Sequence, residues 1–179
     1  MPAAARSQFV TIIAWLSLAL ALFGVAGGIL QGAMWQAGGF DRHLQDILAA
    51  GAGGVTPPPA GLWLLEHLGS LLLLSVLSSA LWAVASWGLL QRREWGRFGF
   101  IILLAAGALF AFAVAFACDR LLADLIAAVG VDPANRDPLL ANMRAATRLA
   151  MYGGALTIAL LHAAIAWKLC TPAVRAEFR

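Results

Sequence analysis

Apolar residues in this chain fall into four long blocks, at about 9–35, 62–90, 98–117 and 149–167, with polar residues gathered between them. Each block meets the requirement of roughly 20 predominantly apolar residues for a helix that crosses a bilayer. The first carries no charge, and the second holds Glu66 and His67 near its start. The third continues as a more polar helix to 129, with Leu121, Leu122, Leu125, Ile126 and Val129 on one side and Asp119, Arg120 and Asp124 elsewhere. The fourth is preceded by a charged stretch at 138–148, in which Leu139, Leu140 and Met143 are expected to face inward. The pattern predicts an all-α membrane protein: an antiparallel four-transmembrane-helix bundle with partly helical outer loops, residues 1–179 forming a single integral membrane domain.

The loops on one side carry structure of their own. Phe40, Leu44, Ile47 and Leu48 recur at helical spacing among Asp41, Arg42, Gln45 and Asp46, which predicts a short amphipathic helix at the membrane surface. Gly51 to Gly54 ends it, and Pro57-Pro58-Pro59 stiffens the approach to the second span. Asp132-Pro133 and Asp137-Pro138 each read as an N-cap followed by proline at the first helical position. These extensions either finish helix ends at the interface or build a small cap that binds a partner or lipid.

Composition fits the block pattern: 62% of residues are hydrophobic and 12% charged, against about a quarter charged in soluble domains. The net charge of +3 does not point to nucleic acid, because the basic residues sit at helix ends. Counting them gives the orientation. Arg6, Arg92, Arg93, Arg97, Lys168, Arg175 and Arg179 collect on one side; Arg42, Arg120, Arg136, Arg144 and Arg148 on the other, with seven of the nine acids. Arg92, Arg93 and Arg97 crowd one short connector, which weighs most, so both termini are expected in the cytoplasm of a bacterial inner membrane. Trp35, Trp63, Trp95 and Trp167 fall at the boundaries where an aromatic belt lies. Arg6, the apolar run and Gly24-Val25-Ala26 also fit a secretory signal peptide, but the run continues through Ile29 and Leu30, which favours a retained span.

Candidate chemistry is sparse. Gly24, Gly28 and Gly32 recur every fourth residue, and Ser75, Ser79 and Ala83 form a similar stripe on the second span. Small residues in such register let two helices approach closely, either within one chain or against a second subunit. His162 is the one ionisable residue well inside a span, six positions from Lys168 and so about 9 Å below the helix end. It is either a functional group or a packed histidine bonded to a side chain such as Ser17 or Ser86. Glu66 and Arg120 fall at matching outer levels and are candidates for a cross-helix ion pair, structural or lining a vestibule.

Several classes lack their residues. His162 has no second histidine at matching depth for haem ligation, and Cys118 and Cys170 fall at opposite faces, too far apart to pair. No catalytic triad, HExxH or phosphate-cradling loop is present, so catalytic residues, metal and cofactors are none.

Phe9-Val10-Thr11-Ile12-Ile13-Ala14-Trp15-Leu16 with Ile29-Leu30-Gln31, and the connector Gly88-Leu89-Leu90-Gln91-Arg92-Arg93-Glu94-Trp95-Gly96-Arg97, resemble small uncharacterised four-helix bacterial inner-membrane proteins. The resemblance runs loosely over the first three spans and implies topology, not activity. The expected role is a non-enzymatic membrane protein acting through helix-helix contacts, an accessory, scaffold or assembly subunit. Its partners are then membrane lipids and a second copy or another membrane subunit. The alternative is a small transporter or channel subunit with a polar path along His162, Ser75, Ser79 and Glu66.

Overall fold

A computed structural model of the chain describes residues 7–38, 59–128 and 138–178. The predicted surface helix around Phe40–Leu48, its glycine and proline run, and the Asp132 and Asp137 caps lie outside the described residues. All the regular structure described is helical: α1 (Gln8–Ala37), α2 (Pro59–Glu66), α3 (Leu68–Leu90), α4 (Glu94–Ala128), α5 (Pro138–Leu169) and α6 (Pro172–Arg175). Four of these, α1, α3, α4 and α5, are long and apolar enough to cross a membrane.

Local chemistry accounts for most of the boundaries. Glu94 in the first turn of α4 and Lys168 in the last turn of α5 complement the helix dipoles. The polar stretches after 117 and before 149 are helical and continuous with their apolar neighbours, giving α4 and α5 their length. Thr171 and Pro172 turn the chain from α5 into α6, the Thr171 hydroxyl donating to the Lys168 carbonyl at 2.8 Å. The block at 62–90 is not one uninterrupted helix. His67 departs from helical geometry at φ −102°, ψ 5°. Its ring Nδ1 and its own backbone N–H both reach the Trp63 carbonyl, at 2.9 and 3.1 Å, and the ring stacks on Trp63. A side chain competing for that carbonyl accounts for the one-residue break between α2 and α3.

Helix neighbours follow chain order: α1 packs on α3, α3 on α4, and α4 on α5. Burial is concentrated towards the connector between α3 and α4. Val10, Ala14, Ala85, Leu89, Phe100, Leu104, Leu169, Val174 and Phe178 form one core there. Away from it, residues 68–84 of α3 and 105–114 of α4 contain no buried position, and Ala155 alone is buried in 141–168. Among the described residues, burial is therefore greatest at one end of the four long helices. Large side chains face outward along their length, Phe23 to 79% and Leu149 to 77% exposure.

The more buried end is closed by an unusual turn. The Arg93 N–H donates to the Gly88 carbonyl and the Arg92 N–H to the Leu89 carbonyl, both at 3.1 Å, the paired bonds of a Schellman ending. That motif puts a left-handed residue after the helix, ordinarily glycine, and here it is Arg92 at φ 57°. The turn brings α4 back so closely that Gly96 meets Gly88 backbone to backbone.

Candidate functional site

The most site-like feature is a cleft of about 320 Å³ between α1, α3, α4 and α5. Its walls are mainly apolar, including Ile13, Leu20, Phe100, Leu104 and Ile165, with Ser17, Ser79 and His162 as the polar lining. Trp82 and Phe100 meet edge to face at 5.2 Å and 87°, forming an aromatic corner, and the His162 ring lies 6.4 Å from Trp82.

His162 is held through the backbone. Its Nδ1 lies 2.9 Å from the Leu104 carbonyl oxygen. A carbonyl only accepts, so Nδ1 carries the proton and donates, which leaves Nε2 of the neutral ring as a bare acceptor. Gly107 makes room for this: a Cβ there would stand 3.1 Å from Cε1 and 3.5 Å from Nδ1. Ser17 and Ser86, the side chains considered as partners from sequence, do not bond the ring. Ser17 lines the same cleft, and the Ser86 hydroxyl is buried without a hydrogen-bond partner.

The other sequence candidates divide. Gly24 and Gly28 serve packing within the chain: a Cβ on Gly24 would come 2.7 Å from Ser79 Oγ, and one on Gly28 2.5 Å from Val76 Cγ2. Nothing lies within 4 Å of a Cβ on Gly32, so this glycine takes no part in that packing among the described residues. Ser75 and Glu66 are exposed and do not line the cleft, so the polar lining unites only His162 and Ser79 of the suggested path, with Ser17 added. Glu66 and Arg120 are not brought together. The ion pair formed beside Arg120 on α4 is instead Asp119 with Arg148, bidentate at 2.6 and 2.8 Å. One residue on, about 100° around the helix, Arg120 turns away and covers the Phe116 ring at 5.4 Å.

The three connector arginines have different fates. Arg93 is exposed, whereas Arg97 is buried at 3% exposure, paired with Glu94 at 3.2 Å and stacked 4.5 Å over Phe98. Arg92 bonds the Ser7 carbonyl at 3.1 Å and the Thr11 hydroxyl at 2.9 Å, and stands 3.1 Å from Glu177. Glu177 also accepts the Ser7 backbone N–H at 3.2 Å. Phe178 completes the cluster, 5.9 Å from each of the two guanidinium groups. The residue missed from sequence is Glu177. Its signal was available: it is one of only two acids, with Glu94, among the seven basic residues assigned to that side.

The cleft can bind and orient, and the arginine cluster can lock an end of the fold. Compared with family models, curated proteins and solved structures, the chain shows no match, and its function rests on its own chemistry.

Proposed function

We propose that this is an integral membrane protein that works through helix-helix contact as an accessory, scaffold or assembly subunit. Its four long helices cross a bacterial inner membrane in alternating directions, with both termini cytoplasmic. Outward apolar side chains along all four helices support insertion. The pairing of Gly24 with Ser79 and of Gly28 with Val76 supports antiparallel packing of α1 and α3. Arg92, Arg93 and Arg97 at the more buried end support a cytoplasmic connector, as does the resemblance of that connector to those of small inner-membrane proteins.

The native cysteines test the topology directly. Both are exposed, Cys118 in the outer half of α4 and Cys170 just past α5. A membrane-impermeant maleimide added to intact spheroplasts should label Cys118 and spare Cys170 until the membrane is opened. Equal labelling of both before permeabilisation would refute the arrangement.

The observation that carries the contact role is a free stripe of small residues on α5. Ala146, Ala150 and Gly154 recur every fourth residue, all exposed, and a Cβ on Gly154 or Gly153 meets nothing within 4 Å. Glycine facing lipid leaves backbone uncovered, whereas a second helix packed there covers it. The stripe on α1 is occupied at Gly24 and Gly28 by the chain's own α3, so the docking face moves from α1 to α5. Gly154→Leu should strip bound partners or break a self-association in mild detergent while leaving the chain's own unfolding transition in place. Unchanged migration and an unchanged set of co-purifying proteins would sink the contact role. The second reading, a small transporter or channel subunit, is supported by the cleft at His162, but that polar lining does not extend to Ser75 or Glu66.

A further inference from the structure

We infer that the cleft between α1, α3, α4 and α5 is a binding site for a membrane-soluble phenol of the hydroquinone type, a flat ring that donates a hydroxyl hydrogen to His162 Nε2. The inference rests on the membrane location proposed above, and not on the contact role of α5.

The lining of the cleft contains no arginine, lysine or carboxylate, so neither an anion nor a cation finds a counter-charge. Its polar groups are one imidazole, two hydroxyls and the indole N–H of Trp82. Because Nδ1 is committed to the Leu104 carbonyl, the imidazole meets an incoming molecule as an acceptor. A bare acceptor in apolar surroundings is costly to leave unmet, and a site at this depth draws its occupant from the hydrocarbon rather than from bulk water. The complementary ligand is therefore neutral, apolar in its body and a hydrogen-bond donor at its head. Ser17 and Ser79 are helical hydroxyls without a protein hydrogen bond in the described structure, and supply further polar contacts beside the ring.

The shape of the wall narrows the head to an aromatic one. Trp82 and Phe100 stand nearly perpendicular at 87°, so a flat ring lying along one of them presents its edge to the other, the arrangements aromatic groups prefer. An aliphatic alcohol would satisfy Nε2 but gain nothing from this corner. Leu20 and Leu161, both exposed, stand at the rim where an apolar tail would leave towards the lipid.

The test uses the full-length protein in nanodiscs with trimethylhydroquinone as the probe. Two comparison compounds accompany it: its dimethyl ether, which keeps the ring and loses the donors, and decanol, which keeps a hydroxyl and loses the ring. With histidine labelled in ¹⁵N, the Nε2 resonance of His162 should move upfield with the hydroquinone and stay in place with the ether. Affinity measured by calorimetry against empty nanodiscs should fall about tenfold for the ether, near the upper worth of one hydrogen bond. Ser17→Leu, which fills the cleft without touching the His162–Leu104 bond, should abolish saturable binding; His162→Phe should bring the hydroquinone down to the level of the ether. Equal binding of hydroquinone and ether, binding undiminished in Ser17→Leu, or no saturable binding at all overturns the proposal. Decanol binding as well as the hydroquinone overturns the aromatic assignment. Cysteine labelling reports membrane location separately, so failure of one is distinguishable from failure of the other.

Discussion

Gly96→Ala should destabilise the folded chain by about 3 kcal/mol or more, the largest effect expected of any single added methyl group. A Cβ on residue 96 would overlap the Gly88 carbonyl carbon and lie 2.6 Å from the Leu89 nitrogen and 2.7 Å from the Gly88 Cα. All three are backbone atoms of a hydrogen-bonded helix, so no rotamer change makes room. At Gly24 and Gly28, by contrast, the obstructing atoms are the Ser79 hydroxyl and one Val76 methyl, which can turn or shift. To accept the methyl, α3 and α4 must move apart at the point where Leu89 and Phe100 enter the core and Trp95 lies over Gly88. Overpacking commonly costs about 1–3 kcal/mol, and a backbone-to-backbone clash belongs at or above the top of that range. Equilibrium unfolding in mixed micelles would measure it. Gly153→Ala is the control, because nothing lies within 4 Å of its added carbon, and it should unfold at or above the wild-type denaturant midpoint. If Gly96→Ala unfolds with the wild type, α3 and α4 do not meet at these glycines.

That contact also marks the limit of what the residues reveal in order. The four apolar runs, the helical continuation past Ala117 and the helix from Pro138 follow from hydrophobic block length and local chemistry alone, both short-range properties of the chain. Gly24 and Gly28 could be assigned to packing because their spacing is periodic. Gly88 and Gly96 are not periodic with each other; they meet because a left-handed residue at 92 folds one helix onto the next, and nothing local marks an arginine for that conformation. His162 could be picked out as a polar residue at depth, yet its partner proved to be a backbone carbonyl, which every residue possesses and no side-chain pattern marks. Glu66 and Arg120 were paired by residue counting, which carries no azimuth: Asp119 takes the face towards α5, and its neighbour Arg120 is turned to Phe116. Depth follows from counting residues, whereas direction around a helix depends on which neighbour it packs against.

Removing Glu177 should produce the second-largest loss, and one that is local as well as global. Arg92 sits in the left-handed region at φ 57°, which costs a residue with a Cβ about 1–2 kcal/mol relative to ordinary helical backbone. Glycine would escape that cost, so the arginine is retained against its own backbone preference by what its guanidinium holds. It ties the Ser7 carbonyl, the Thr11 hydroxyl and Glu177 across 85 residues on either side. The pair is mostly shielded, at 13% and 9% side-chain exposure. Breaking one partner of a fully buried pair costs about 3–5 kcal/mol; this residual exposure brings the expectation for Glu177→Ala to about 2–3 kcal/mol. The Ser7 N–H loses its acceptor in the same step, and Val174 and Phe178 lose the anchor that seats them in the core. Trypsin should then cut after Arg175 many times faster than in the wild type, before global unfolding begins. Arg92→Gly should cost less than Glu177→Ala, since relief of the backbone strain offsets part of the lost bonding. The double variant Arg92→Gly/Glu177→Ala should be more stable than the sum of the two single effects predicts by about 1 kcal/mol or more, the coupling expected of residues in contact. Additive effects, or an unchanged rate of cleavage at Arg175 in Glu177→Ala, would mean that the cluster does not hold the two ends of the chain together.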